Sequence, residues 1–187
     1  MANIFRIERK GEHERFKEAY GNIPNSNRRL LWHGSRSTNY GGILSQGLRI
    51  APPEAPVNGY MFGKGVYFAD TSTKSANYCC SYSSANMGLL MLCDVELGDP
   101  MYEQTGSNSN AATDSKAAGS LATLGNGCSV PNGWKDARGV HPSLQGVQMP
   151  DVAVPWVNQS ASLQYNEYIV YDVKQIQQKY LFHVHMN

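Results

Sequence analysis

Three apolar segments in the second half of the chain set the main limit on its fold. Residues 89–97 are strongly apolar, and residues 165–173 and 179–186 alternate with a period of two. That period marks strands with one buried face. In the last segment Tyr180, Phe182, Val184 and Met186 fall on one face, and His183 and His185 on the other. Residues 30–33 and 66–69 read as two shorter strands. Helical signals are brief. One runs through STNYGGILSQGLRI, with Ser37 or Thr38 as cap, Tyr40, Ile43 and Leu44 on one face and Gly47 as the stop. Another starts near Asp70 or Thr71, its possible caps, and runs through Ser75, Tyr78 and Tyr82. Strands dominate, so the expected class is α+β, built on antiparallel or mixed sheets. The 187 residues fit one domain, 1–187, with a core that needs no disulfide or metal staple.

Two stretches interrupt this pattern. Residues 51–65, APPEAPVNGYMFGKG, hold three prolines and three glycines and predict a turn-rich path. Residues 104–120 carry no Leu, Ile, Val, Met or aromatic side chain and are expected not to anchor a core. Residues 104–133 are therefore expected as a flexible insertion or a functional flap.

Charge and composition narrow the chemistry. Sixteen Lys and Arg against fifteen Asp and Glu leave a net charge of +1, without the long-range field of a nucleic-acid binder. No apolar run reaches a membrane span, and the charged N-terminus has no signal-peptide core. The four cysteines form no CxxC pair, and adjacent Cys79 and Cys80 suit a reducing intracellular setting.

Polar residues stand where a core wants apolar ones. His33 and Gly34 end a buried strand. Tyr67 and Ala69 face away from Val66 and Phe68. Ser75 and Tyr78 are three apart on a predicted helix and share a surface. Glu167 lies in YNEYIVY, where a carboxylate has to be paired, protonated or functional. Each has an ordinary alternative: a satisfied core histidine, packing tyrosines, a surface serine, an inward charge protecting an edge strand. His183 and His185 have no third ligand in sight, which favours a solvated strand face over a metal site. Gly63-Lys64-Gly65 is neither a P-loop nor a dinucleotide fingerprint, and alone it reads as a tight turn.

Together these residues resemble a known family. The run LLWHGSRSTNYGGILSQGLRIAPPEAPVNGYMFGKGVYFADTSTKSANYC is similar to the catalytic domain of poly(ADP-ribose) polymerases, above all the DNA-damage-responsive branch. FRIERKGEHERF upstream and LQYNEYIVYDVKQIQQKYL downstream extend the likeness over nearly all of the chain except residues 104–133. The family's His-Tyr-Glu signature falls on His33, Tyr67 and Glu167.

The resemblance implies two packed, mostly antiparallel sheets around an NAD cleft, the ADP-ribosyltransferase fold. It implies NAD as substrate, no metal, and transfer of ADP-ribose to proteins, the chain itself included. In the implied pocket Gly34 offers its main chain and Ser75 its hydroxyl to the nicotinamide carboxamide, with Tyr78 and Tyr67 on the two ring faces. Phe68, Ala69 and Lys74 line the same pocket. His33 and Ser35 hold the adenosine ribose, Asn39 and Arg49 stand near the adenine or phosphate end, and Tyr60 and Met61 border the acceptor side.

Glu167 would stabilise the positive ribose left when nicotinamide departs. Its presence favours polymer elongation, whereas the acceptor-side segment 104–133, with Lys116 as its one basic residue, leaves mono-transfer as the alternative. A silent NAD- or ADP-ribose-binding module is the rival from outside enzymes. Only 29 residues precede Leu30, too few for a regulatory helical subdomain or DNA-binding modules. The expectation is a monomer active without DNA or membrane, nuclear by its relatives' habit.

Overall fold

The computed structural model describes residues 2–52, 54 and 59–186. Among the described residues, twelve strands in chain order are β1 (Asn3–Arg6), β2 (Arg28–Gly34), β3 (Val66–Phe68), β4 (Met87–Glu96), β5 (Tyr102–Gln104), β6 (Ala122–Gly125), β7 (Ser129–Val130), β8 (Trp134–Asp136), β9 (Gln148–Pro150), β10 (Val157–Asn158), β11 (Glu167–Val170) and β12 (Ile176–His185). Four α-helices accompany them among the described residues: α1 (Glu12–Tyr20), α2 (Tyr40–Gln46), α3 (Ser72–Ala76) and α4 (Ala111–Ala117). The expected α+β class holds.

Six strands form one sheet in the order β1-β12-β4-β2-β9-β8, four form a second in the order β3-β11-β6-β5, and β7 pairs with β10 in a small separate ribbon. All ladders are antiparallel except β2 with β9 and β5 with β6. A bridge between Trp32 and Ala69 joins the two sheets, with each residue's N–H donating to the other's carbonyl at 2.8 and 2.9 Å. This bridge places the end of β2, which carries His33 and Gly34, beside the end of β3.

The main core lies between the sheets, where Leu31, Met91, Cys93 and Val95 from one meet Phe68, Leu124, Tyr168 and Val170 from the other. Burying each large apolar side chain here contributes about 1.5–3 kcal/mol. A second cluster, Leu30, Leu92, Ala137, Leu144 and Val147, covers the opposite face of the larger sheet, and Tyr180 and Phe182 pack on it. The alternation read in β12 thus has physical meaning, because Tyr180 and Phe182 serve one cluster while Leu181 serves the other. The strand nevertheless starts at Ile176, and its register shifts between Gln178 and Tyr180.

Buried carboxylates in β4 are accounted for. Asp94 pairs with Arg28 and accepts from Gln177, while Glu96 accepts from the N–H groups of Asn27 and Gly98. Such pairing offsets the cost of removing an ion from water.

The helices depart from expectation in detail. α2 does end at Gly47, but a 3₁₀ turn, Ser37–Asn39, precedes it and neither Ser37 nor Thr38 caps it. Its Tyr40 is buried whereas Leu44 is exposed. α3 stops at Ala76, so Tyr78 lies beyond it and Tyr82 sits exposed in a separate 3₁₀ turn, Ser81–Ser83. Thr71 stands at its N-terminus without a side-chain cap bond, and the Asp70 carboxylate is engaged elsewhere. The strand expected over 165–173 shrinks to β11, and its C-terminal end is cut short where Asp172 caps a 3₁₀ turn, Val173–Gln175, in a capping box.

The largest difference concerns residues 104–133. The segment holds α4, β6 and β7, and β6 runs as an inner strand between β11 and β5. Ala111 is fully buried against Phe62 and Ile169. Small side chains anchor this region, which a search for large apolar ones overlooks. Of residues 51–65, positions 53 and 55–58 lie outside the described residues.

Candidate active site

A cavity of about 940 Å³ opens where the two larger sheets meet, lined by the end of β2, by α2, by residues 59–61 and 65–69 and by α3. Its size is at the upper end of ordinary small-molecule sites. His33, Gly34, Ser35, Asn39, Arg49, Tyr60, Met61, Tyr67, Phe68, Ala69, Lys74, Ser75, Tyr78 and Glu167 all border it. The structure therefore brings together every residue singled out for binding or catalysis. It adds Leu163 and, from α2 and the turn after it, Ile43, Gln46 and Leu48. Nothing in their local sequence distinguishes them from packing residues.

Glu167 opens β11 and is 6% exposed. β11 is flanked by β3 and β6, so its carboxylate does not guard a sheet edge. Lys74 reaches from α3 to place Nζ 2.6 Å from Glu167 Oε1. A buried carboxylate thus stands against a matched cation at the cavity wall.

His33 has its Nδ1 2.9 Å from the Tyr67 carbonyl. A carbonyl only accepts, so Nδ1 carries the hydrogen and Nε2 of the neutral ring is an acceptor. Burial lowers the His33 pKa, against the smaller opposing effect of that hydrogen bond, and favours the neutral form. Its ring packs 5.7 Å from that of Phe68.

Tyr67 is locked at its far end. Its hydroxyl donates to the Gly63 carbonyl at 2.7 Å and accepts from the Phe62 N–H at 2.9 Å. Burial pushes its pKa well up, so the phenol stays protonated. Gly63 therefore serves as the seat for this hydroxyl. Tyr60 lies beside it, ring centroids 6.1 Å apart.

Gly34 is a glycine because of Ser75: a Cβ there would overlap the Ser75 carbonyl. Ser75 is buried, and its hydroxyl donates to the Trp32 carbonyl at 3.0 Å. Its oxygen lone pairs remain acceptors. Tyr78 is half exposed at the mouth. On the other side Asn39 donates to Ser35 Oγ at 2.9 Å, fixing two polar groups near exposed Arg49.

The floor thus offers a carboxylate beside a lysine, main chain at the end of a strand, a serine oxygen, two aromatic rings and a neutral imidazole. Such a set can hold an uncharged amide, an aromatic ring and sugar hydroxyls, and can oppose developing positive charge with a fixed anion.

A family model described as "Poly(ADP-ribose) polymerase catalytic domain" matches residues 1–186. The chain is similar over its whole length to "Poly [ADP-ribose] polymerase 2" of Arabidopsis thaliana, at 50% identity, covering 28% of that protein. It is 48% identical to "Poly [ADP-ribose] polymerase 1" of Danio rerio, again over the whole chain, covering 17% of that protein. The Drosophila melanogaster "Poly [ADP-ribose] polymerase" is 45% identical over 97% of the chain. The chain spans less than a third of the length of these relatives. With its two-sheet fold, its cavity and a family match from end to end, the chain belongs to the poly(ADP-ribose) polymerase catalytic-domain family.

Proposed function

We propose that this chain is an NAD-dependent protein ADP-ribosyltransferase that elongates poly(ADP-ribose) on acceptor proteins, itself among them, in the nucleus. The observation that carries the reading is the buried Glu167, held by Lys74 on the wall of the cavity that also contains Gly34, Ser75, Tyr67 and Tyr78.

Gly34 gives its main-chain N–H and C=O to the carboxamide, and the Ser75 oxygen takes the remaining amide hydrogen. Tyr67 and Tyr78 enclose the nicotinamide ring, with Phe68 and Ala69 behind it. His33 Nε2 and Ser35 accept the adenosine ribose hydroxyls, and Asn39 and Arg49 receive the adenine and phosphates. Glu167 accepts the hydroxyl of the nicotinamide-side ribose and faces the carbon that becomes electron-poor as nicotinamide leaves. Acceptors enter past Tyr60 and Met61. Each role asks only for hydrogen-bond donors, acceptors and rings that line the cavity.

The test is incubation with labelled NAD, alongside Glu167→Gln. A ladder of modified protein and free nicotinamide are expected from the wild type. A single discrete shift would favour mono-transfer, the reading suggested by the lone Lys116 in residues 104–133. Binding of NAD without nicotinamide release would leave only a binding module.

A further inference from the structure

Behind the cavity, a buried polar network converges on Asp70. The Asp70 Oδ2 accepts from Asn166 Nδ2 at 2.8 Å and from the Tyr168 hydroxyl at 3.1 Å. Asn166 Oδ1 in turn accepts from the Gly127 N–H at 2.9 Å. Tyr168 also accepts from Arg29 Nη1 at 3.0 Å, and the Arg29 guanidinium lies 4.0 Å from the centre of the Trp134 ring. Asp70, Asn166 and Tyr168 are 4, 7 and 0% exposed. None of the three borders the cavity.

Place in the chain gives the network its meaning. Asp70 follows Ala69, the residue that bridges the two sheets, and precedes the helix that carries Lys74 and Ser75. Asn166 directly precedes Glu167. The 2.8 Å bond between them therefore ties the segment bearing the lysine to the segment bearing its carboxylate partner. Gly127 completes the fixture, because a Cβ there would overlap the main chain of Tyr165 and Asn166. A tight main-chain approach and an amide bond thus hold the start of β11 from one side, and Asp70 holds it from the other.

A core of this size could be filled by apolar groups at lower cost than a buried carboxylate. Burial raises the Asp70 pKa to about 6 in spite of the lowering contributions of Asn166, Tyr168 and Arg29. Hydrogen bonds have fixed lengths and directions, whereas apolar contacts tolerate sliding. A polar brace is what a site needs when one carboxylate has to stand at one place.

We propose that Asp70 and Asn166 are positioning residues for Glu167, fixing its carboxylate relative to Lys74 and the cavity floor through the Asp70–Asn166–Gly127 chain of hydrogen bonds. The inference rests on the reading of Glu167 as the group that stabilises the reacting ribose. The residues act through Glu167 and touch no substrate themselves.

The experiment measures nicotinamide release by Asp70→Ala, Asn166→Ala and Asp70→Asn, at a temperature where each is folded by circular dichroism. Misplacing a catalytic group by about 1 Å costs on the order of 10²-fold. The two alanine variants are therefore expected to lose about 10- to 100-fold in kcat, with KM for NAD changed by less than about threefold. Asp70→Asn keeps an acceptor oxygen at Oδ2 and is expected to retain kcat within about threefold of wild type. A role in stability alone would lower the melting temperature and leave kcat of the folded protein unchanged, and that result would overturn the proposal. Where an alanine variant does not fold, Tyr168→Phe removes one oxygen from the network, and an unchanged kcat there counts against it.

Failure of the underlying reading looks different. If wild type releases no nicotinamide, amide hydrogen exchange across residues 166–168 decides the matter by itself. Exchange at least about tenfold faster in Asn166→Ala supports the brace, and unchanged exchange ends it.

Discussion

Lys74 and Glu167 are 93 residues apart in the sequence, yet their charged atoms lie 2.6 Å apart with side chains only 17 and 8% exposed. Removing one member of such a pair leaves the other as an uncompensated buried charge. Lys74→Met is expected to destabilise the protein by about 3–5 kcal/mol, read as the shift in a urea unfolding midpoint. An effect below about 1 kcal/mol would show that water reaches Glu167 and screens it.

Glu167→Gln keeps the shape of the side chain and removes its charge. We expect NAD affinity to hold within a fewfold while turnover falls by on the order of 10²–10³. Calorimetric NAD binding and a nicotinamide-release assay separate the two effects. Equal loss of both would make Glu167 a ground-state binding residue.

Gly34→Ala forces a methyl group against the Ser75 carbonyl. Either the main chain of β2 or that of α3 has to move, and overpacking of this kind costs about 1–3 kcal/mol. Since both segments border the cavity, affinity for NAD should drop by at least about tenfold. Titration of NAD against intrinsic fluorescence provides the measurement, and unchanged affinity would remove Gly34 from the binding surface.

Stability should respond to pH through two groups of opposite sign, partly buried His33 and buried Asp70. The His33 pKa is lowered by burial, so the unfolded chain takes up a proton near pH 6.5 that the native one refuses. Its contribution to stability is present above that pH and is lost as pH falls toward the native value. Asp70 is raised from 3.8 to about 6, so the native state holds a proton that the unfolded chain releases first. Stability from this group declines as pH rises from about 4 to about 6 and then stays low. Asp70→Asn should therefore gain on wild type between pH 4 and pH 7 by on the order of 3 kcal/mol. Melting temperatures across that range test the claim, and a gap that does not widen with pH refutes it.

The cavity itself was legible in the sequence to an unusual degree. His33, Tyr67, Ser75 and Glu167 stood out because each places a polar group in an apolar strand or beside one, and the end of such a strand is where a site can open. Leu163, Ile43 and Leu48 were not legible, since an apolar residue lining a cavity has the same local pattern as one lining a core. Residues 104–120 misled for the opposite reason. Alanine carries too little apolar surface to register as an anchor, yet Ala111 fits fully buried beneath Phe62.

Strand character, the α+β class and the list of candidate polar residues came from the sequence by itself, because alternation is a local property that the pleat of a strand imposes. The chain's likeness to its family was equally a property of residue order. Only the tertiary structure decided who meets whom. Asp70 looked like a helix cap and became the partner of Asn166, 96 residues away. Glu167 could have been an edge charge and became the partner of Lys74 in an inner strand. Such pairings are fixed by the register of β11 against β3 and β6 and by the Trp32–Ala69 bridge between the sheets. Those are relations between distant segments, and no local pattern encodes them.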